Sequence, residues 1–198
     1  IARGTGPSLV PILGVVVLGE TVAPVANAGI VGVVSGIYVV HGWGQFSNVL
    51  RDPFRLVSEP GTRYALLTGT VIAAYSVWDK VGVRYVSPFA YMYLMSLGSA
   101  VFLAPYVWRA HGTAAMRAEW RSSYPRILAV SGLMFLAYGL VLSAFRIAQV
   151  SYVSPAREVG IVMGVLLGVL VLKEPFGKGR ILGSCLIVLG LVLIALAP

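Results

Sequence analysis

Long apolar stretches separated by short polar links are the feature that most constrains the fold of this chain. Hydrophobic residues make up 58% of the sequence and charged residues only 11%, whereas an ordinary soluble domain carries about 25% charged residues. A soluble globule of 198 residues cannot bury this much apolar surface, because small folds leave a large part of their surface in water. The apolar side chains must therefore face lipid, and the pattern predicts an all-α, polytopic transmembrane helix bundle.

Seven apolar segments are candidates for membrane-spanning helices, each of which needs about 20 mostly apolar residues. The links between them are short, and they include Asp79-Lys80 and the basic stretch 109–126. Because no link is long enough to separate two soluble domains, we expect one membrane domain. The candidate helices cover approximately Thr5–Leu18, Val25–Gly42, Tyr64–Trp78, Val86–Trp108, Ile127–Ala144, Val153–Leu172 and Ile181–Ala197.

An internal repeat is the most informative feature of the chain's organisation. When the sequence is shifted by 154 residues, Arg3 falls on Arg157 and Glu20 falls on Glu174. Glycines match as well: Gly6, Gly14, Gly29 and Gly36 fall on Gly160, Gly168, Gly183 and Gly190. An apolar bias does not explain matched arginine, glutamate and glycine residues, so we interpret the two stretches as copies of one helical unit.

The number of helices between the two copies predicts their relative direction. Five crossings separate the first candidate helix from its mate, and an odd number makes the copies run in opposite directions. Such inverted repeats are common in secondary transporters. We therefore predict a ten-helix fold of two five-helix halves: residues 1–45 hold the last two helices of the first half, 46–62 an inter-repeat loop, and 63–198 the second half. About three further helices are then expected before Ile1.

Positive charge is concentrated in the links. The formal net charge is +8, and basic residues gather at 51–63, 109–126 and 173–180, which all fall on one side of the predicted bundle. This distribution is typical of cytoplasmic loops, which places the C-terminus outside, and it argues against a nucleic-acid-binding face.

Arg157 and Glu158 are the leading candidates for functional residues. The purely apolar part of their segment, Val159–Leu172, spans about 21 Å at 1.5 Å per residue, whereas the hydrocarbon core is about 30 Å thick. Both charges are therefore drawn into the membrane, where each needs a partner or water. The preceding Ser154-Pro155 is expected to open the helical hydrogen-bond ladder. We interpret the two residues as the lining of a substrate-binding cavity; the alternative is a structural ion pair.

A second group of candidate substrate-binding residues is mostly aromatic. Tyr75, Trp78 and Asp79 are spaced to share one face of a helix, and such a face suits an amine or a ring-bearing ligand. Tyr91 and Tyr138 are weaker candidates for cavity walls. The alternative for the aromatic residues is an interfacial belt or ordinary packing, with Asp79 in a solvated link.

Other glutamates and glycines are expected to be structural. Glu20 and Glu174 occupy matching repeat positions, and Pro175 can begin a helix. A carboxylate there faces the positive end of a helix dipole, so we predict that both glutamates cap and fix a tight turn. Small residues four positions apart let helices approach closely, and the sixth segment carries three of them, Gly160, Gly164 and Gly168.

No cofactor, metal site or enzyme active site is expected. The single cysteine, Cys185, excludes a disulfide framework, and His41 and His111 lie far apart. The sequence has no paired carboxylates with a nucleophile, no phosphate-binding loop and no nucleophile elbow.

Several of these motifs resemble parts of an EamA domain, which defines the drug/metabolite transporter (DMT) superfamily. The end of such a domain is similar to Val153–Glu158 with Leu172–Glu174, Gly183 and Gly190, and to Leu18–Glu20 with Gly29 and Gly36. Its first helix, in the second repeat of bacterial members, is similar to Tyr75 and Asp79 with Gly82–Arg84.

The resemblance implies ten helices in two inverted halves around a central cavity. It also implies transport of amino acids, other metabolites or drugs across the inner membrane. We therefore expect a multi-pass, secondary-active exporter or permease in a bacterial inner membrane, working by alternating access. Its partners would be the lipid bilayer, a small-molecule substrate and either a proton or a counter-substrate, and a homodimer is allowed. The alternative function is a non-transporting membrane scaffold or subunit.

Overall fold

The computed structural model describes residues 2–42, 60–173 and 177–197, which form helices and short links without a strand. The predicted all-α class is confirmed for these residues. The predicted inter-repeat loop up to residue 59 and the predicted cap Glu174 lie outside them. The helices are α1 (Ala2–Leu18), α2 (Pro24–Gly42), α3 (Pro60–Tyr85), α4 (Pro88–Ile147), α5 (Val150–Ala156), α6 (Val159–Leu170) and α7 (Lys178–Ala195).

Helix α3 extends beyond the end that the sequence predicts. The expected link at Asp79-Lys80 is wrong, because α3 continues to Tyr85. Ala73 and Ser76 are buried before Asp79, and Val83 is buried after it, so both parts of α3 carry a buried face.

Helix α4 covers two predicted segments and the basic stretch between them, and it consists of two helices that meet at a kink at Gly112. The predicted break is therefore present within 109–126, at Gly112, which has non-helical backbone angles of φ 72° and ψ 165°. The rest of the stretch is helical and does not form an irregular link. Glycine adopts positive φ without steric cost. The residues that follow include three alanines and three arginines up to Arg126, both of which are strong helix formers.

The sixth predicted segment is divided into α5 and α6 by a turn at Arg157-Glu158. Around this turn, the Glu158 N–H donates to the Pro155 carbonyl oxygen (3.0 Å) and the Ile161 N–H to the Glu158 carbonyl oxygen (2.9 Å). These bonds span three residues rather than the four of an α-helix. Pro155 has no N–H to donate, and the sequence predicted an interruption of the helical hydrogen bonds beside it. The interruption is present, but it begins two residues later, at Arg157.

Apolar character is unevenly distributed among the helices. Within the described residues, Pro88–Ile147 and Val150–Gly168 are long and apolar enough to cross a bilayer. Three shorter apolar helices are Gly6–Leu18, Pro24–Val40 and Gly179–Ala195. The count of seven spanning helices stays a prediction.

The chain divides into two compact units, which we call the first unit (residues 1–78 and 148–198) and the second unit (residues 79–147). In the first unit the apolar core lies mainly between α2 and α7. Its buried side chains include Ile30, Val33, Ile37, Ile187 and Ile194.

Glycines set the distance between α2 and α7. A Cβ added to Gly29 would lie 2.6 Å from the Gly190 carbonyl oxygen, and one added to Gly36 would lie 2.6 Å from the Gly183 carbonyl oxygen. Backbone therefore meets backbone at both places. The residue numbers increase along α2, from Gly29 to Gly36, while those of their contacts on α7 decrease, from Gly190 to Gly183. The two helices therefore run antiparallel.

Gly36→Ala is expected to lower stability, because the new methyl group collides with the backbone of α7 at Gly183 and Ile187 as well as with the Ile187 side chain. The expected loss is about 1–3 kcal/mol, as for overpacking in a close-packed core. The measurement is the thermal unfolding temperature in detergent. The matched control is Gly132→Ala, whose Cβ would meet no atom within 4 Å; equal unfolding temperatures for the two variants would contradict the proposed contact.

Two of the three glycines predicted to pack in the sixth segment lack such a contact. A Cβ at Gly160 or at Gly164 would meet nothing within 4 Å, so the described residues do not support a packing role for them. Gly168 is buried.

Candidate functional site

A cavity of about 270 Å³ lies in the first unit between α1, α3 and the α5–α6 turn. Three residues predicted to bind substrate, Tyr75, Arg157 and Glu158, all line it. The remaining lining residues are Pro7, Ile72, Ser154, Gly160 and Ile161. The structure thus gathers a cation, a carboxylate and a phenol ring around one space large enough for a small metabolite.

The interrupted helix positions the two charged residues. Arg157 and Glu158 have backbone angles of φ −62°, ψ −20° and φ −73°, ψ −3°. Both residues stay in the right-handed helical region, although they form a turn between α5 and α6. Broken helices of this kind form substrate and ion sites in many transporters.

A second polar cluster lies in the second unit around Asp79, whose side chain is fully buried. The Tyr91 hydroxyl donates to Asp79 Oδ1 at 2.9 Å, and the Tyr138 hydroxyl donates to Oδ2 at 2.5 Å. Three predicted residues are thus brought together, although Tyr138 is 59 positions from Asp79. The alternative that placed Asp79 in a solvated link is wrong, because a continuous helix carries it inward.

Neighbouring contacts fix this cluster to α4. The Lys80 ammonium group donates to the Phe145 carbonyl oxygen at 2.5 Å. The Tyr91 ring lies against Gly82, where any Cβ would collide with it. The C-terminal part of α3 is therefore held against both the beginning and the end of α4.

Trp78 does not join either group. Its side chain is 73% exposed and does not line the cavity beside Arg157, so its role as a cavity wall stays a prediction. Successive helical residues point about 100° apart, so Trp78 turns outward where Asp79 turns inward. The alternative interpretation, an aromatic residue at the membrane interface, fits this exposure.

Glu20 lies in the turn between α1 and α2, where it was predicted, but it caps a distant helix. Its carboxylate accepts hydrogen bonds from the Val150 N–H (2.8 Å), the Ser151 N–H (3.0 Å) and the Ser151 hydroxyl (2.6 Å) at the start of α5. These partners are 130 and 131 positions away. Sequence reasoning did not identify Ser151, because a lone serine carries no signal of so distant a partner.

No metal centre is formed by the described residues: within 2–42, 60–173 and 177–197, no group of three or more His, Cys, Asp or Glu side chains could hold an ion.

The apolar helices and the polar groups between them define a helical membrane protein. The model of the EamA-like transporter family matches residues 60–196. The chain therefore belongs to the EamA-like transporter family and is a membrane transporter of the DMT type. A search of curated proteins and a search of solved structures gave no match.

Tyr138→Phe is expected to destabilise the protein by about 1.5–3 kcal/mol, because a hydrogen bond to a buried carboxylate is lost while the carboxylate stays buried. Tyr93→Phe is the matched control, since the Tyr93 side chain is 60% exposed. Both variants would be unfolded by heat in detergent. Equal unfolding temperatures for the two variants would show that the Tyr138–Asp79 hydrogen bond does not stabilise the fold.

Proposed function

We propose that this chain is a secondary-active transporter, an exporter or permease of small metabolites such as amino acids, that works by alternating access. The observation that carries the proposal is the cavity beside the interrupted helix, with Arg157 and Glu158 in its lining. Charged side chains within a membrane are costly unless they serve a site or a partner. A solute with both an acidic and an amino group offers each of them a counter-charge.

Each candidate residue has a proposed role. Arg157 contacts an anionic group of the substrate, Glu158 contacts a cationic group, and Tyr75 forms a wall. Asp79, held by its two tyrosine donors, is a second candidate for a titratable group, which would couple transport to protons. Exchange against a counter-substrate is the other form of coupling that fits these charges.

Two inverted repeats supply the proposed mechanism, and the α2–α7 contact supports them. Gly29 and Gly183 match in the repeat, as do Gly36 and Gly190. Each glycine packs against the mate of the other, Gly29 on Gly190 and Gly36 on Gly183. A two-fold axis produces this reciprocal pattern. The two halves would rock about that axis in a multi-pass protein of the bacterial inner membrane.

Arg157→Ala is expected to reduce transport by about tenfold or more in kcat/KM, the equivalent of about 1.4 kcal/mol of lost substrate interaction. The measurement is uptake of radiolabelled amino acids into proteoliposomes that contain the intact protein. The matched control is Arg117→Ala, because Arg117 is exposed on α4. Equal transport by both variants would remove Arg157 from the site. If the unsubstituted protein moved no solute, the scaffold alternative would be favoured.

A further inference from the structure

Two helix ends of the first unit cap each other. The Glu20 carboxylate takes the N–H groups at the start of α5. In return, the hydroxyl of Tyr152 on α5 accepts a hydrogen bond at 3.1 Å from the Ala23 N–H, just before α2. The first N–H groups of a helix have no partner within it, so each segment satisfies the donors of the other. We call Gly14, Glu20, Ala23, Ser151 and Tyr152 the Glu20 latch.

Gly14 makes the close approach in the Glu20 latch possible. A Cβ at this position would lie 2.5 Å from Ser151 Oγ and 2.8 Å from Glu20 Oε2. The Gly14 carbonyl oxygen also accepts the Glu20 N–H at 3.2 Å, after Gly19 turns the chain with φ 67°. The turn therefore folds back so that its carboxylate lies between α1 and α5.

The same two helices line the cavity one or two turns away. Pro7 on α1 and Ser154 on α5 both face it. At 1.5 Å per residue, Gly14 is about 10 Å from Pro7 along α1, and Ser151 is about 4.5 Å from Ser154 along α5. The Glu20 latch thus joins α1 and α5 between the cavity and the end of the unit where the α1–α2 turn lies.

We propose that the Glu20 latch closes the cavity toward the α1–α2 turn, and that its opening admits solute from that side. This inference rests on the proposed transport function, because alternating access requires a closure that can be released. The chemistry suits release: separated carboxylate, amide and hydroxyl groups can all bond to water instead. Gln149 precedes Ser151 by two positions, and its buried side-chain oxygen, which has no donor among the described residues, would also gain water on opening.

The test measures access to the cavity rather than transport. A Ser154→Cys reporter is placed in the intact protein with Cys185→Ser, and the protein is reconstituted in vesicles. Ser154 is only 5% exposed, so its replacement thiol should react slowly with a charged, membrane-impermeant thiol reagent. The labelling rate is then measured with the reagent added to one side of the vesicle at a time.

Three substitutions at separate chain positions should produce the same result. Gly14→Ala, Glu20→Gln and Ser151→Ala are each expected to raise the labelling rate about fivefold, the effect of one lost hydrogen bond on an open-to-closed ratio. The increase should occur from one side only. Glu119→Gln and Gly98→Ala are the matched controls, because Glu119 is exposed and a Cβ at Gly98 would meet nothing within 4 Å.

Two outcomes would overturn the proposal: unchanged labelling in all three variants, or an equal increase from both sides. Size-exclusion profiles in detergent identify any variant that fails to fold. Ser151→Ala, which deletes only a hydroxyl, keeps the test decisive if Gly14→Ala misfolds. Labelling needs no transported solute, so a negative labelling result refutes the latch without refuting the proposed transport function. A negative uptake result refutes transport without deciding whether the latch closes the cavity.

Discussion

The backbone contact between α2 and α7 is the interaction on which the first unit depends. Within a membrane, lipid tails compete equally well for apolar side chains, so helices associate by close packing and polar contacts. Glycines at the α2–α7 crossing bring the two backbones together, and isoleucine and valine side chains fill the space on either side. The reciprocal order of the glycine contacts is also what a two-fold related pair of helices requires.

Polar side chains add long-range ties to this packing. Asp79 joins α3 to both ends of α4 through two tyrosines, and Glu20 joins the α1–α2 turn to α5. Each carboxylate is placed where donors converge on it, because an unsatisfied polar group in hydrocarbon is costly. Arg157 and Glu158 line a cavity. Charged groups beside a cavity can bind a solute there.

The sequence contained enough to predict the helical class and an interruption near Pro155, because these follow from apolar length and proline chemistry. That Arg157 and Glu158 bind substrate stays a prediction, although both line one cavity. It did not predict that α3 continues through Asp79, since a charged pair between apolar segments has the same pattern as a link. The exposure of Trp78 depends on which side of α3 is packed in the folded chain, and the sequence pattern does not specify that side. The Ser151–Glu20 pairing depends on tertiary contacts over 131 positions, for which local spacing carries no signal.

The membrane side on which each of the two repeat copies ends is the most direct test of their inverted arrangement. Thr21 follows α1 and Lys173 follows α6, the mate of α1, and both residues are exposed. In intact cells carrying Cys185→Ser, Thr21→Cys should react with an impermeant thiol reagent added outside. Lys173→Cys should react only after the membrane is made permeable. Labelling of both positions from the same side would contradict the inverted arrangement of the two copies.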